Sequence, residues 1–166
     1  MAEPQSAPIA GETKADAYAR VLKEISAVIA GEPSATARYA TAACILTQNF
    51  APRFFWTGFY VVDPEKPGEL VVGPYQGSLG CLRIAYGKGV CGAAAQSGQT
   101  QLVEDVHAFP GHIACDARSQ SEIVVPVFDA EGRLAAVLDV DSEQKGAFDA
   151  DDRAGLEAIC AVLLRD

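Results

Sequence analysis

Cations are scarce in this chain of 166 residues, and they do not gather. Lys and Arg number 13 against 22 Asp and Glu, a net charge of −9, and no basic run occurs. Phosphate backbones are held by clustered cations, so this balance excludes nucleic acid as a partner and disfavours an anionic membrane surface. Long apolar runs are also missing: no stretch approaches the roughly 18 consecutive apolar residues of a membrane span. The opening "MAEPQSAPIAGETK" lacks the basic-then-apolar order of a secretory signal, and residues 1–13 read as a loose Pro- and Ala-rich tail. No CxxC pair is present, and the five cysteines are an odd number without the dense, even spacing of a secreted scaffold. The expectation is a reducing cytoplasm, in which a cysteine either packs or does chemistry. The acid surplus itself reports solubility.

What is there is mostly foldable: 49% of residues are apolar, enough for one domain with a substantial core. Tyr18, Val21, Leu22, Ile25, Val28 and Ile29 recur at helical spacing, which predicts a helix over Ala15–Ala30. Ser34 can cap a second helix with Tyr39, Ala43, Leu46 and Phe50 along one side, closed by Pro52. "RFFWTGFYVVD" and "LVVGPY", split by the turn "PEKPGE", read as a hairpin. A short strand at Leu82–Ile84, a short helix at Val90–Gln96 ended by Gly98, and a strand in "QLVED" follow. "VHAFPGHIACDARSQS" is irregular, and loops of that length are more often functional than accidental. "EIVVPVFD" and "LAAVLDVDS" form a second hairpin, in which Pro126 argues for an edge strand or a bulge. Asp149 caps a last helix through Leu164, with Leu156, Ile159, Ala161 and Leu163 facing inward. The sum is an α+β fold in one domain over residues 14–166. A central antiparallel sheet carries the N- and C-terminal helices on one face, and a ligand pocket roofed by loops on the other.

The cysteines sort into two kinds. Cys44 and Cys160 lie in helices beside Ala, Ile and Leu, where a free thiol is ordinary packing. Cys81, Cys91 and Cys115 lie in the loop-rich middle third, flanked by Gly or Asp. A zinc site from His112, Cys115, Cys81 and Cys91 has the wrong spacing for a knuckle, and no metal is expected. A Cys–His hydrolase using Cys115 with His107 or His112 lacks a local signature. The carboxylates add a second signal. Asp139 and Asp141 stand two apart on a strand and share a face. Antiparallel pairing brings Glu122 to the same end. Strand-end solvation is the bland explanation, apt for Asp141 and less so for Asp139, which an apolar stretch surrounds. Such a cluster requires a cationic ligand, a shared proton, or both.

The segments "WTGFY", "GPYQG", "CLRIAYGKGVCGAAA", "TQLVEDVHAFPGHIACDARSQSEIVVPVF" and "LAAVLDVDS" together resemble the free methionine-(R)-sulfoxide reductases, single-domain GAF proteins. The likeness runs from Arg53 to Ser142. It implies that Cys115 attacks the sulfoxide sulfur and that Cys81 or Cys91 resolves the product as a disulfide, with Cys81 favoured. It further implies that Glu122, Asp139 and Asp141 bind and protonate the substrate, and that Trp56 and Tyr60 wall the methyl-sulfinyl group. Thioredoxin, linked to NADPH, is the implied reductant, a homodimer the implied assembly, and no bound cofactor is implied.

The chemistry needs these parts. A thiolate must attack sulfur, an acid must protonate the departing oxygen, and a second thiol must condense with the oxidised cysteine. Carboxylates crowded together keep a proton more readily than one alone, and their remaining charge suits the α-ammonium of a free amino acid. Backbone amides of the loop at Ile113, Ala114 and Cys115 are expected to meet the substrate carboxylate. The rival is a non-catalytic GAF sensor of a small molecule or of oxidants. A chain of this length leaves no room for an output domain, which favours the enzyme.

Overall fold

A computed structural model describes residues 8–165. The first part of the expected tail, residues 1–7, and residue 166 lie outside the described residues. Thr13 accepts a hydrogen bond from the Asp16 backbone at 3.1 Å and so caps α1 (Lys14–Ile29). Ser34 caps α2 (Ala35–Phe50) in the same way. The chain then lays down β1 (Trp56–Val62), β2 (Glu69–Gln76), β3 (Arg83–Ala85), α3 (Gly89–Ser97) and β4 (Gln101–Val103). A 3-10 turn at Val106–Ala108 opens the long loop, and β5 (Ser121–Phe128), β6 (Leu134–Ser142) and α4 (Ala150–Val162) complete it.

The six strands form one antiparallel sheet in the order β3-β2-β1-β6-β5-β4. Strand residues alternate between its faces. Phe59, Ile123, Val125, Leu138 and Val140 pack with α1, α2 and α4 on one face. Trp56, Tyr60, Val124 and Val137 turn to the other, where they meet α3 residues such as Val90 and Ala94. Each fully buried Leu, Ile or Phe contributes about 1.5–3 kcal/mol, so the helix-bearing face supplies most of the stabilising apolar burial.

Polar anchors fix the helices. Asp149 and Asp152 form a reciprocal capping box at the start of α4. The Asp152 carboxylate, wholly buried, accepts hydrogen bonds from Tyr18 at 2.6 Å, Arg53 at 2.8 Å and Lys14 at 2.9 Å. That one side chain ties α4 to α1 and to the segment entering β1.

Several details depart from the sequence reading. β1 starts at Trp56 rather than Arg53, because Phe54 turns into the helical core beside Phe50 and Arg53 is claimed by Asp152. Ala161 and Val28 face solvent, whereas Cys160 packs inward as its apolar setting implied. Pro126 sits on an interior strand, but β4 pairs only with residues 122–124 of β5. At Pro126 the outer side of β5 is therefore open, and no ladder bond is lost there. Gly98 ends α3 in the left-handed conformation, at φ +66°, as its position implied. No described helix is long and apolar enough to cross a membrane.

Candidate functional site

On the face away from the three large helices lies a cavity of about 520 Å³, its open mouth included. Its floor comes from β5 and β6. Glu122 stands directly opposite Asp141, and Asp139 stands opposite Gly58 of β1. All three carboxylates face the cavity. Glu122 and Asp139 are each only 6% exposed, and Asp141 is half-buried. α3 lays Cys91 against this floor, 4% exposed, with its sulfur 3.9 Å from a Glu122 oxygen.

Burial is the first cause that pushes the Glu122, Asp139 and Asp141 carboxyls up from their ordinary range, and their mutual repulsion is the next. Burial and the same acids hold the Cys91 thiol protonated. The Oδ1 atom of Asp139 has no hydrogen-bond partner. His112 approaches Glu122 at 3.7 Å, but burial lowers its pKa, so the ring is neutral at neutral pH. The floor can therefore hold at least one exchangeable proton and receive a cation.

Aromatic rings make the wall. Trp56 stacks on Tyr75 at 5.0 Å and on Tyr60 at 5.8 Å between ring centres. Gly58 permits this arrangement. A β-carbon there would collide with Tyr75 and come within 2.8 Å of the Trp56 ring.

The rim is sulfur. Cys81 and Cys115 are joined in a disulfide, with Cα atoms 5.5 Å apart. Ile113 and Ala114 line the same mouth, Ile113 being 41% exposed. The two cysteine-bearing loops are also joined by a hydrogen bond. Ser78 donates to Asp116 at 2.7 Å, and the Ser78 carbonyl accepts from the Trp56 indole at 2.8 Å. Arg118 pairs with Asp116 at 2.8 Å and covers the Phe55 ring at 4.5 Å. These partners hold the Asp116 carboxyl well below the usual range.

Of the residues that the sequence singled out, Cys91, Cys115, Glu122, Asp139, Asp141, Trp56, Tyr60, His112, Ile113 and Ala114 face this cavity, and Cys81 closes its rim through Cys115. The three middle cysteines nevertheless divide, two at the rim and Cys91 on the floor. The four residues of the zinc set do not gather as one: Cys81 and Cys115 are bonded to each other at the rim, and Cys91 lies on the floor. His107 stands on the 3-10 turn, exposed and away from the cavity. Ser119, Asp116 and Lys88 also line the cavity and were not anticipated. Asp116 and Ser119 belong to the long irregular loop, whose length was the available signal. Lys88 carried none.

The GAF domain family matches residues 34–163. The free methionine-R-sulfoxide reductase of Escherichia coli is 41% identical over 90% of this chain and 88% of its own length. The crystal structure of the free methionine-R-sulfoxide reductase from Neisseria meningitidis, in complex with its substrate, superposes with a TM-score of 0.86. That protein is 44% identical over 93% of this chain and 90% of its own. A Burkholderia vietnamiensis protein described as a GAF sensor superposes with a TM-score of 0.85 at 49% identity, over 93% of this chain and 95% of its own.

Proposed function

Given that this chain belongs to the free methionine-R-sulfoxide reductases of the GAF-domain family and is an oxidoreductase of that kind, we propose that Cys115 is the nucleophile that reduces the free (R)-sulfoxide of L-methionine. The Cys115 thiolate attacks the sulfoxide sulfur. A carboxyl of the Glu122, Asp139 and Asp141 cluster delivers a proton to the sulfoxide oxygen. Methionine leaves, and Cys115 is left as the sulfenic acid, having taken the oxygen. The Cys81 thiol then condenses with it, which forms the disulfide and expels water. Thioredoxin returns two electrons and two protons as the next dithiol, and NADPH restores thioredoxin. No bound cofactor is required.

The observation that carries this reading is the Cys81–Cys115 disulfide at the lip of a cavity floored by buried acids. It favours Cys81 over Cys91 as the resolving thiol. The α-ammonium of a free amino acid matches the acid cluster, and a methionine inside a polypeptide has no such charge to offer. Trp56 and Tyr60 wall the methyl-sulfinyl end, and the amides around Ile113–Cys115 receive the carboxylate. The working assembly in this reading is a homodimer in the cytoplasm.

NADPH consumption with free methionine (R)-sulfoxide, thioredoxin and thioredoxin reductase tests it. Turnover is expected in the native chain and in Cys44→Ser, with none in Cys115→Ser and none on a peptide-bound sulfoxide. A chain that turns over no sulfoxide at all leaves the sensor reading instead.

A further inference from the structure

The redox cycle above uses Cys81 and Cys115 and leaves the third thiol of the cavity without a task. Cys91 is no bystander in position. Its sulfur and one oxygen each of Glu122 and Asp139 all lie within 4.8 Å of one another, and all three side chains are buried. Among the described residues this is the group of thiol, imidazole and carboxylate ligands close enough together to hold a metal. Asp139 adds a second sign, since its Oδ1 is buried with no donor from outside the cluster, Cys91 and Glu122 being its polar neighbours, and the residue is only 6% exposed. A buried acceptor left unpaired is costly, and a cation bound there would satisfy it.

We propose that Cys91, Glu122 and Asp139 form a binding site for a borderline-soft divalent cation, of the Zn²⁺ or Cd²⁺ class, on the cavity floor. One thiolate and two carboxylates suit such ions and not Mg²⁺ or Ca²⁺, which take oxygen alone. Tetrahedral bonds of about 2.0–2.3 Å place ligand atoms roughly 3.5 Å apart, so the 3.9 Å between Cys91 and Glu122 needs little adjustment. The three side chains supply three ligands, and solvent at the open mouth of the cavity can supply the fourth. Asp141 adds negative charge beside them. Of the nearby cations, Lys88 is exposed at the cavity rim and Arg118 is engaged by Asp116. The ion displaces the thiol proton of Cys91 and the proton held by the acids, with no change of oxidation state. Because Cys81 and Cys115 are bonded to each other, this site exists in the oxidised protein, where Cys91 is the one reduced thiol of the cavity. An ion seated there occupies the ground assigned above to the substrate ammonium.

The test needs neither substrate nor turnover, so its failure leaves the reductase reading untouched. Oxidised protein is titrated with Cd²⁺ and followed by calorimetry and by the ultraviolet sulfur-to-cadmium charge-transfer band. One ion per chain with the band is expected in the native protein and in Cys44→Ser. Cys91→Ser should lose the band. Asp139→Asn, with its fold verified by circular dichroism, should bind roughly tenfold or more weakly. The proposal fails if the oxidised native protein shows no band, if the band survives in Cys91→Ser, or if Asp139→Asn binds as the native chain does. Where Cys91→Ser does not fold, Asp139→Asn decides.

Discussion

Replacing Asp139 with Asn should stabilise the fold, and increasingly so as the pH rises. In the unfolded chain an Asp ionises near 3.9. In the fold, burial and the neighbouring charge of Glu122 lift the Asp139 carboxyl well above that value. Between the two values the native state holds a proton that the unfolded state has released. Stability contributed by this group is therefore full below the unfolded pKa and is lost as pH rises toward the folded one. The loss is about 1.4 kcal/mol per pH unit while the carboxyl stays protonated. The advantage of removing the carboxyl therefore widens as the pH climbs from the unfolded value toward the folded one. Part of the proton passes to Glu122 and Asp141 when Asp139 is removed, which brings the expected gain at pH 7 to about 1–3 kcal/mol. For a domain of this size the gain corresponds to roughly 3–10 °C in Tm. Asn keeps the shape of the side chain and brings an N–H donor toward Glu122. Carboxyls held low, such as Asp116 and Asp149, act in the opposite direction but are common to both proteins and cancel in the difference. Trp56 is the chain's one tryptophan and is buried in the site wall, so its fluorescence reports urea unfolding at pH 5, 6, 7 and 8. An advantage for Asp139→Asn that does not widen with pH, or a variant less stable than the native chain at pH 7, would refute the reasoning. The stabilised protein should also be the poorer catalyst, since the unfavourable burial of the acid is what keeps its proton available.

Three further outcomes are expected. In the reduced protein, the Cys115 thiol pKa should fall when methionine binds, because the ammonium offsets the acid charge beneath it; pH-dependent alkylation with and without methionine measures this, and an unchanged pKa contradicts substrate-gated activation. Gly58→Ala should cost about 1–3 kcal/mol in urea unfolding and lower kcat/KM, because the added methyl pushes Trp56 and Tyr75 out of register. Asp152→Ala should cost about 3–5 kcal/mol, since Tyr18, Arg53 and Lys14 lose their shared acceptor inside the helical layer, while Tyr18→Phe should cost only about 1.5–3; equal losses would show that the ion pairs add nothing.

The convergence of the acids was legible because a strand's alternation is strict. Asp139 and Asp141 had to share a face, and the short turn after β5 had to bring Glu122 opposite Asp141. The cysteines were only half legible. Their common setting of small, flexible residues identified Cys81, Cys91 and Cys115 as a group, but nothing local separates a rim thiol from a floor thiol. That division is made by where α3 packs on β5 and β6, which is a tertiary matter. The start of β1 failed for a different reason. Phe54 and Phe55 have the propensity of strand residues, yet Phe54 gains more by stacking with Phe50 at 4.9 Å in the helical layer. On α4, Cys160 packs as read, but Ala161 is small enough to sit on either side, and helical spacing alone did not show that it faces solvent.

The Ser78–Asp116 hydrogen bond gives the redox chemistry a mechanical background. It fastens the two loops at a point that neither gains nor loses electrons. When the sulfur bridge opens, the loops are still stitched three residues from Cys81 and one residue from Cys115, so the freed thiols drift little and the return stroke is short. A chain with that stitch cut would have to search for its own partner sulfur at every turnover.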